Sequence, residues 1–315
     1  MTTHGDIRKQ PVPAGQSWLV LGFLSVLWGG SFFFYKVLAP VLPPATLVLG
    51  RVGLAALALH AVLFMNGSRL SLTPYLLRWF LILGAFNCAL PFCLYAWSER
   101  FVPSGVAATL NATTPVFTAV AMHLTTKDER LTRSVVTGIG CAFAGVAVLV
   151  GHNLVSGLSL TELPGELACL GATTSYAIGN ALSRKLAGVT PLHLATGQLT
   201  GAAVVVAPFA IVIDRFWTLP PIALSGWAAL FGIALLSTAL AYLIYFRILT
   251  VHGATRAALV TFLVPVSALI MGAVFLGETI AWNTAAGACL IGLGLAAIDG
   301  RLMRRLWRRE DPTAA

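Results

Sequence analysis

Charge is scarce in this chain. Only 10% of its residues are Asp, Glu, Lys or Arg and 58% are hydrophobic, whereas a soluble domain carries roughly 25% charged residues. With a mean hydropathy of +0.87, such a chain cannot cover itself in water. None of its 11 acidic residues falls near the middle of an apolar run. That argues against a proton antiporter built on a midplane carboxylate, and against a pathway for multivalent cations. The five cysteines (Cys88, Cys93, Cys141, Cys169, Cys289) all lie inside apolar runs, with neither a disulfide framework nor a Cys/His metal spacing. No metal or other cofactor is therefore expected. His-Glu-x-x-His and Gly-x-Ser-x-Gly are both missing, so nothing points to an enzyme. The ten-residue alternation of a membrane β-barrel is missing too.

What fills the chain is long apolar runs, each able to cross a hydrocarbon core about 30 Å thick. Ten are predicted as helices, near 18–38, 44–65, 79–97, 103–124, 133–151, 165–184, 191–213, 223–246, 253–276 and 282–300. The expected fold is an all-α polytopic membrane protein, and the first run reads as an uncleaved helix. Connections are short, leaving no room for a soluble output domain. With ten crossings both ends share one side. Sorting the loops by Lys and Arg puts 16 of the 20 on that side, which the positive-inside bias makes cytoplasmic. The net charge of +9 thus reads as topology rather than as a nucleic-acid face. The expected location is the cell (inner) membrane. The lipid bilayer and a small-molecule substrate are the expected partners, and homo-oligomerisation is left open without any signal for it.

The chain also repeats itself. Gly105-Val-Ala-Ala-Thr-Leu-Asn-Ala-Thr-Thr-Pro115-Val aligns with Thr255-Arg-Ala-Ala-Leu-Val-Thr-Phe-Leu-Val-Pro265-Val at an offset of 150 residues, and Asp128 then lands on Glu278. Trp79 and Gly84 match Trp227 and Gly232, Tyr95 matches Tyr245, and Gly50-Arg51 matches Gly197-Gln198. This divides the chain into a tail at 1–17, a first five-helix repeat at 18–151, a second at 165–300, and a basic tail at 301–315. Five is odd, so the second copy enters the membrane from the opposite face. Two inverted repeats are the architecture of alternating-access carriers, with the substrate near midplane between them.

Trp28-Gly29 in the first segment, an arginine early in the second, and the Pro115 and Pro265 segments followed by Asp128 and by Leu276-Gly277-Glu278 together resemble the EamA family of the drug/metabolite transporter superfamily. The resemblance covers roughly residues 18–300. It implies an exporter or facilitator of small metabolites, amino acids among them. The same fold also fits a nucleobase, vitamin or drug carrier, and a non-transporting sensor or scaffold is a third class.

Candidate site residues come from polarity at depth. Seven of the eight tryptophans fall at helix ends, where interfaces collect them; Trp28 does not. It is a cavity wall or interhelical packing. Ser25, Trp28, Phe32 and Tyr35 form a row at helical spacing, matched in the second half by Thr173, Tyr176, Asn180 and Ser183. Asn87, Tyr95, Asn111, Ser237, Thr238, Tyr242 and Tyr245 add amides and hydroxyls, so the lumen suits a neutral or zwitterionic solute. Pro91, Pro115 and Pro265 lie inside apolar segments and free the carbonyls of Asn87, Asn111 and Thr261. Those turns are hinges, substrate contacts or structural kinks. Arg51 lies about seven residues below the outer end of its segment. It is placed to meet a substrate carboxylate, to snorkel, or to pair with Glu99 or Glu278. Lys36 is expected to be solvated. Gly138 and Gly145 on the fifth segment, and Gly287 and Gly294 on the tenth, are spaced for close packing within the chain or between protomers.

Overall fold

The structure is a computed structural model of the 315-residue chain. It describes residues 14–125, 132–155, 161–252, 257 and 259–299. Asp128 with its neighbours Lys127 and Glu129, the Thr255 start of the second proline segment, and the two tails lie outside the described residues.

Among the described residues a helix overlaps each of the ten predicted places, and no strand occurs. They are α1 (Ala14–Leu38), α2 (Pro44–Met65), α3 (Pro74–Ser98), α4 (Ser104–Thr125), α5 (Arg133–Val155), α6 (Leu163–Ser183), α7 (Pro191–Val212), α8 (Leu224–Val251), α9 (Val260–Leu276) and α10 (Trp282–Asp299). Seven segments (those of α1–α5, α7 and α8) are both long and apolar enough to cross a membrane, and α9 and α10 are shorter apolar helices. Large apolar side chains stay exposed along them, among them Leu57, Phe64, Val204, Val274 and Leu293. Outward-facing side chains of that kind are what lipid, not water, accommodates.

Local chemistry sets the helix ends. Pro44, Pro74 and Pro191 occupy the first helical position, where a missing N–H costs nothing and φ is already helical. Thr73 caps α3 by accepting from the Leu76 N–H at 3.3 Å, and α3 therefore starts five residues before its predicted boundary. At the far end of α9, Gly277 adopts φ +67°, the left-handed conformation that glycine takes without a Cβ penalty. It reverses the chain so that Glu278 N–H bonds back to the Gly272 carbonyl at 3.0 Å.

Packing is dominated by α5 on α10, α2 on α7, α3 on α7, α1 on α9, and α6 on both α3 and α4. Along α5–α10 the backbones touch. A Cβ on Gly138 would lie 2.5 Å from the Gly294 carbonyl oxygen, and one on Gly145 would lie 2.8 Å from that of Gly287. Partner numbers fall from 294 to 287 as residue numbers rise from 138 to 145, so the two helices run antiparallel. Ser134 Oγ donating to the Ala297 carbonyl at 2.5 Å and Asn283 Nδ2 donating to that of Leu149 at 3.2 Å extend the seam. The predicted glycines thus pack within the chain.

The prolines act differently from one another. α4 breaks at Ala112–Thr113, and the Asn111 carbonyl that Pro115 deprives of its partner accepts from Thr114 Oγ1 at 2.7 Å. Before Pro91 the ladder of α3 widens to π geometry over Ala85–Ala89, a local solution to the missing N–H. Pro265 sits within a continuous α9. α7 contains a fourth internal proline, Pro208, which the count of three had left out. α8 has π geometry over Gly232–Leu240 without any proline. Asn87 and Ser237, matched at the repeat offset, both lie in these π segments.

Candidate functional site

The most unusual side chain in the bundle is Arg51. It is 4% exposed, on the second turn of α2, and its partners come from three other helices. Nε donates to Thr238 Oγ1 of α8 at 2.9 Å, Nη1 to the Tyr35 hydroxyl of α1 at 2.5 Å, and Nη2 to Ser31 Oγ of α1 at 3.4 Å. The guanidinium carbon lies 3.7 Å from the ring centroid of Phe92 of α3. A flat cation on an aromatic face is a favourable and partly desolvated contact. Thr238 donates its own proton to the Ile233 carbonyl at 2.8 Å, which turns a lone pair toward Arg51.

Neither acid once considered as a partner is bonded to it. Glu278 is held by Ser104, and Glu99 lies near Lys36. Arg51 does not snorkel either; it is a buried charge among neutral groups. Tyr35 and Ser31 are one helical turn apart, so a row through Tyr35 could have suggested Ser31. Phe92, an apolar residue beside a proline, gave no sequence signal.

Two further pairs of aromatic rings stand in the bundle. Trp28 and Tyr245 have centroids 5.2 Å apart, and Tyr176 and Tyr95 6.3 Å apart. Trp28 matches Tyr176 and Tyr245 matches Tyr95 in the repeat alignment, so each pair is the counterpart of the other. Phe32 meets Tyr95 edge-on at 5.4 Å, and the Tyr95 hydroxyl donates to Asn111 Oδ1 at 2.9 Å. Across the bundle Gln198, aligned with Arg51, accepts from Asn87 Nδ2 at 3.4 Å. Asn87 fits because Gly179 has no side chain: a Cβ there would lie 1.9 Å from Asn87 Oδ1. Asn87 Oδ1 and Ser237 Oγ are buried without a hydrogen-bond partner among the described residues. Tyr242 lies beside Cys88 and stacks on Phe246 at 5.8 Å. Asn180 stands apart, exposed, with Nδ2 3.4 Å from Thr118 Oγ1. The candidate site is aromatic and amide-lined, with one cationic pole.

A second polar cluster closes the bundle end where α1, α3 and α9 finish. Lys36 is not solvated as expected, for its Nζ donates to the Glu99 and Val102 carbonyls, each at 2.8 Å. Glu278, delivered by Gly277, accepts from the Ser104 N–H at 3.0 and 3.1 Å and from its hydroxyl at 2.7 Å. It thereby caps α4 and ties the two halves together. Glu99 is 1% exposed. Burial pushes its carboxyl well above the usual carboxylate range; the Lys36 ammonium pulls it back, and the Glu278 carboxylate adds to the rise.

These features define a class: an all-helical, polytopic integral membrane protein with a polar centre inside an apolar shell. The chain belongs to the EamA-like transporter family, whose model matches residues 16–151 and 163–298. It is 27% identical over 284 residues to the uncharacterized transporter YoaV of Bacillus subtilis, covering 88% of this chain and 95% of that one. It is 30% identical over 286 residues to a probable amino-acid metabolite efflux pump of Salmonella typhimurium, covering 87% and 93%. A solved crystal structure shares the fold, with a TM-score of 0.64 at 20% identity over 92% of this chain and 99% of that one. The protein is a membrane transporter rather than an enzyme.

Proposed function

We propose that the protein is an alternating-access carrier of small neutral or zwitterionic metabolites, amino acids foremost, working as an exporter or facilitator in the cell (inner) membrane. Both termini would be cytoplasmic, and ten spans would form two inverted five-helix repeats. Several observations support this arrangement. The family model matches the chain twice. Packing pairs come in couples related by exchange of the halves, such as α3 on α7 with α2 on α8, or α1 on α9 with α4 on α6. The two aromatic pairs are counterparts, and equivalent helices α5 and α10 run in opposite directions.

Arg51 carries the substrate assignment. A guanidinium has five N–H donors, and three are engaged by Thr238, Tyr35 and Ser31. One remains on each terminal nitrogen, the fork that a carboxylate bridges. Burying an ion without a counter-ion is costly, and a carboxylate arriving with the substrate offsets that cost. Trp28, Tyr176, Tyr95, Tyr242 and Tyr245 then flank the rest of the solute, while Asn87, Asn111 and Ser237 offer neutral hydrogen bonds. Pro91, Pro115 and, within the continuous α9, Pro265 are the points at which the helices would bend between states. A relative named as a probable amino-acid metabolite efflux pump fits the same chemistry.

The test is an export and toxicity-resistance screen across amino acids and other metabolites, followed by counterflow in liposomes. Trp28→Ala should raise the half-saturation concentration for the transported solute about tenfold, equivalent to about 1.4 kcal/mol. An unchanged profile would remove Trp28 from the site, and purified protein that moves no solute would overturn the reading.

A further inference from the structure

Glu99 has no use in the substrate site, yet its carboxyl is almost fully buried, 1% exposed, at its end of the bundle. Both of its side-chain oxygens lack a hydrogen-bond partner among the described residues. The neighbours that could serve it are engaged elsewhere: Lys36 with two backbone carbonyls, and Glu278 with Ser104. Arg100, next in sequence, turns away to the Leu42 carbonyl at 3.2 Å. An ionised carboxylate in such a place costs several kcal/mol, whereas the neutral acid fits. We propose that Glu99 is a proton-binding site of the transport cycle: the protonated acid closes this end of the bundle, and release of the proton to water accompanies its opening. The proposal rests on the transport reading and on the orientation that puts this end outside.

The surroundings fix the sign. From α1 come Lys36 and Tyr35, from the turn after α9 comes Glu278, and from α6 come Cys169 and Glu166. Among the described residues, Lys36 is the one cation acting on Glu99, and burial outweighs it. The closed form therefore binds the proton more tightly than an open, hydrated form. Closure is complete below the ordinary glutamate range. It is lost as pH rises from there toward the raised value of the closed form, by up to about tenfold per pH unit for one proton.

Two reporters, each with one added cysteine, read this without needing a known substrate. Val102 is 0% exposed and Val41 is 46% exposed, both in turns at this end. Val102→Cys and Val41→Cys proteins in right-side-out vesicles are treated with a membrane-impermeant maleimide at external pH 5 to 8.5 (a range set by the glutamate and maleimide chemistry, roughly). Labelling is quantified peptide by peptide by mass spectrometry. The ratio of Val102→Cys to Val41→Cys labelling should climb with pH by up to about tenfold per unit. It should be flat and low with Glu99→Gln, and should climb over a displaced range with Glu99→Asp. A flat ratio in the protein that retains Glu99, or an equal slope in Glu99→Gln, overturns the proposal. A slope seen only in everted vesicles keeps the proton site and overturns the orientation. Counterflow in the same vesicles tests transport separately.

Discussion

Replacing Arg51 by glutamine, the residue that stands at the matching place in the second half, will cut transport of a carboxylate solute roughly a hundredfold. Truncating one partner of a buried, hydrogen-bonded charge pair costs about 2–5 kcal/mol, and each 1.4 kcal/mol is about a factor of ten. The protein should stay folded. Tyr35, Ser31 and Thr238 lose a donor but keep hydroxyls that can serve one another or water, and the cost of a buried ion disappears with the ion. Arg51→Lys should recover little of the loss, because an ammonium supplies a point charge without the planar fork and cannot stack on Phe92 in the same way. Liposome counterflow measures the first effect, and thermal stability in detergent checks the second. A glutamine variant that transports normally would leave the buried guanidinium without a role.

The other large effect lies in the α5–α10 seam and is structural. Gly138→Val and Gly287→Val put a branched side chain where a Cβ alone would lie 2.5 Å and 2.9 Å from the backbone oxygen of the facing helix. Backbone cannot move aside as a side chain can, so the helices must separate. Overpacking of this kind costs about 1–3 kcal/mol, and opening the seam also loses the bonds made by Ser134 and Asn283. A fall in melting temperature on the order of 5 °C, with loss of monodisperse protein, is the expected outcome. Gly140→Val and Gly292→Val are matched controls, since a Cβ at either position meets nothing within 4 Å. Equal damage from seam and control variants would show that bulk on these helices, and not their contact, is responsible.

The helices were legible because they are written in local composition, and the repeat was read from the same source. Apolar length marks a span, and a duplicated motif marks a copy, without knowledge of any contact. Trp28, Tyr95, Tyr176 and Tyr245 could be singled out for the same reason, each being a polar or aromatic exception within an apolar run. What could not be read was pairing. That Arg51 would find Thr238, 187 positions away, and not an acid depends on how four helices cross. Lys36 looked solvated because it lies near a helix end, yet the turn after α3 folds back to offer it two carbonyls. The π segment of α8 has no proline to announce it. The start of α3 was legible in principle from Thr73-Pro74, a cap followed by a first-turn proline, but lay outside the apolar run used to place it.

The central claim is that the Arg51 guanidinium meets the carboxylate of the transported solute. It is tested most directly by comparing that solute with its carboxamide, in the unaltered protein and in Arg51→Gln, by counterflow under identical conditions. The account predicts that the unaltered protein prefers the acid by roughly a hundredfold and that the preference collapses to within a few-fold in the variant. Equal losses for acid and amide would contradict it, because they would make Arg51 a support for the bundle and not the group that recognises the solute.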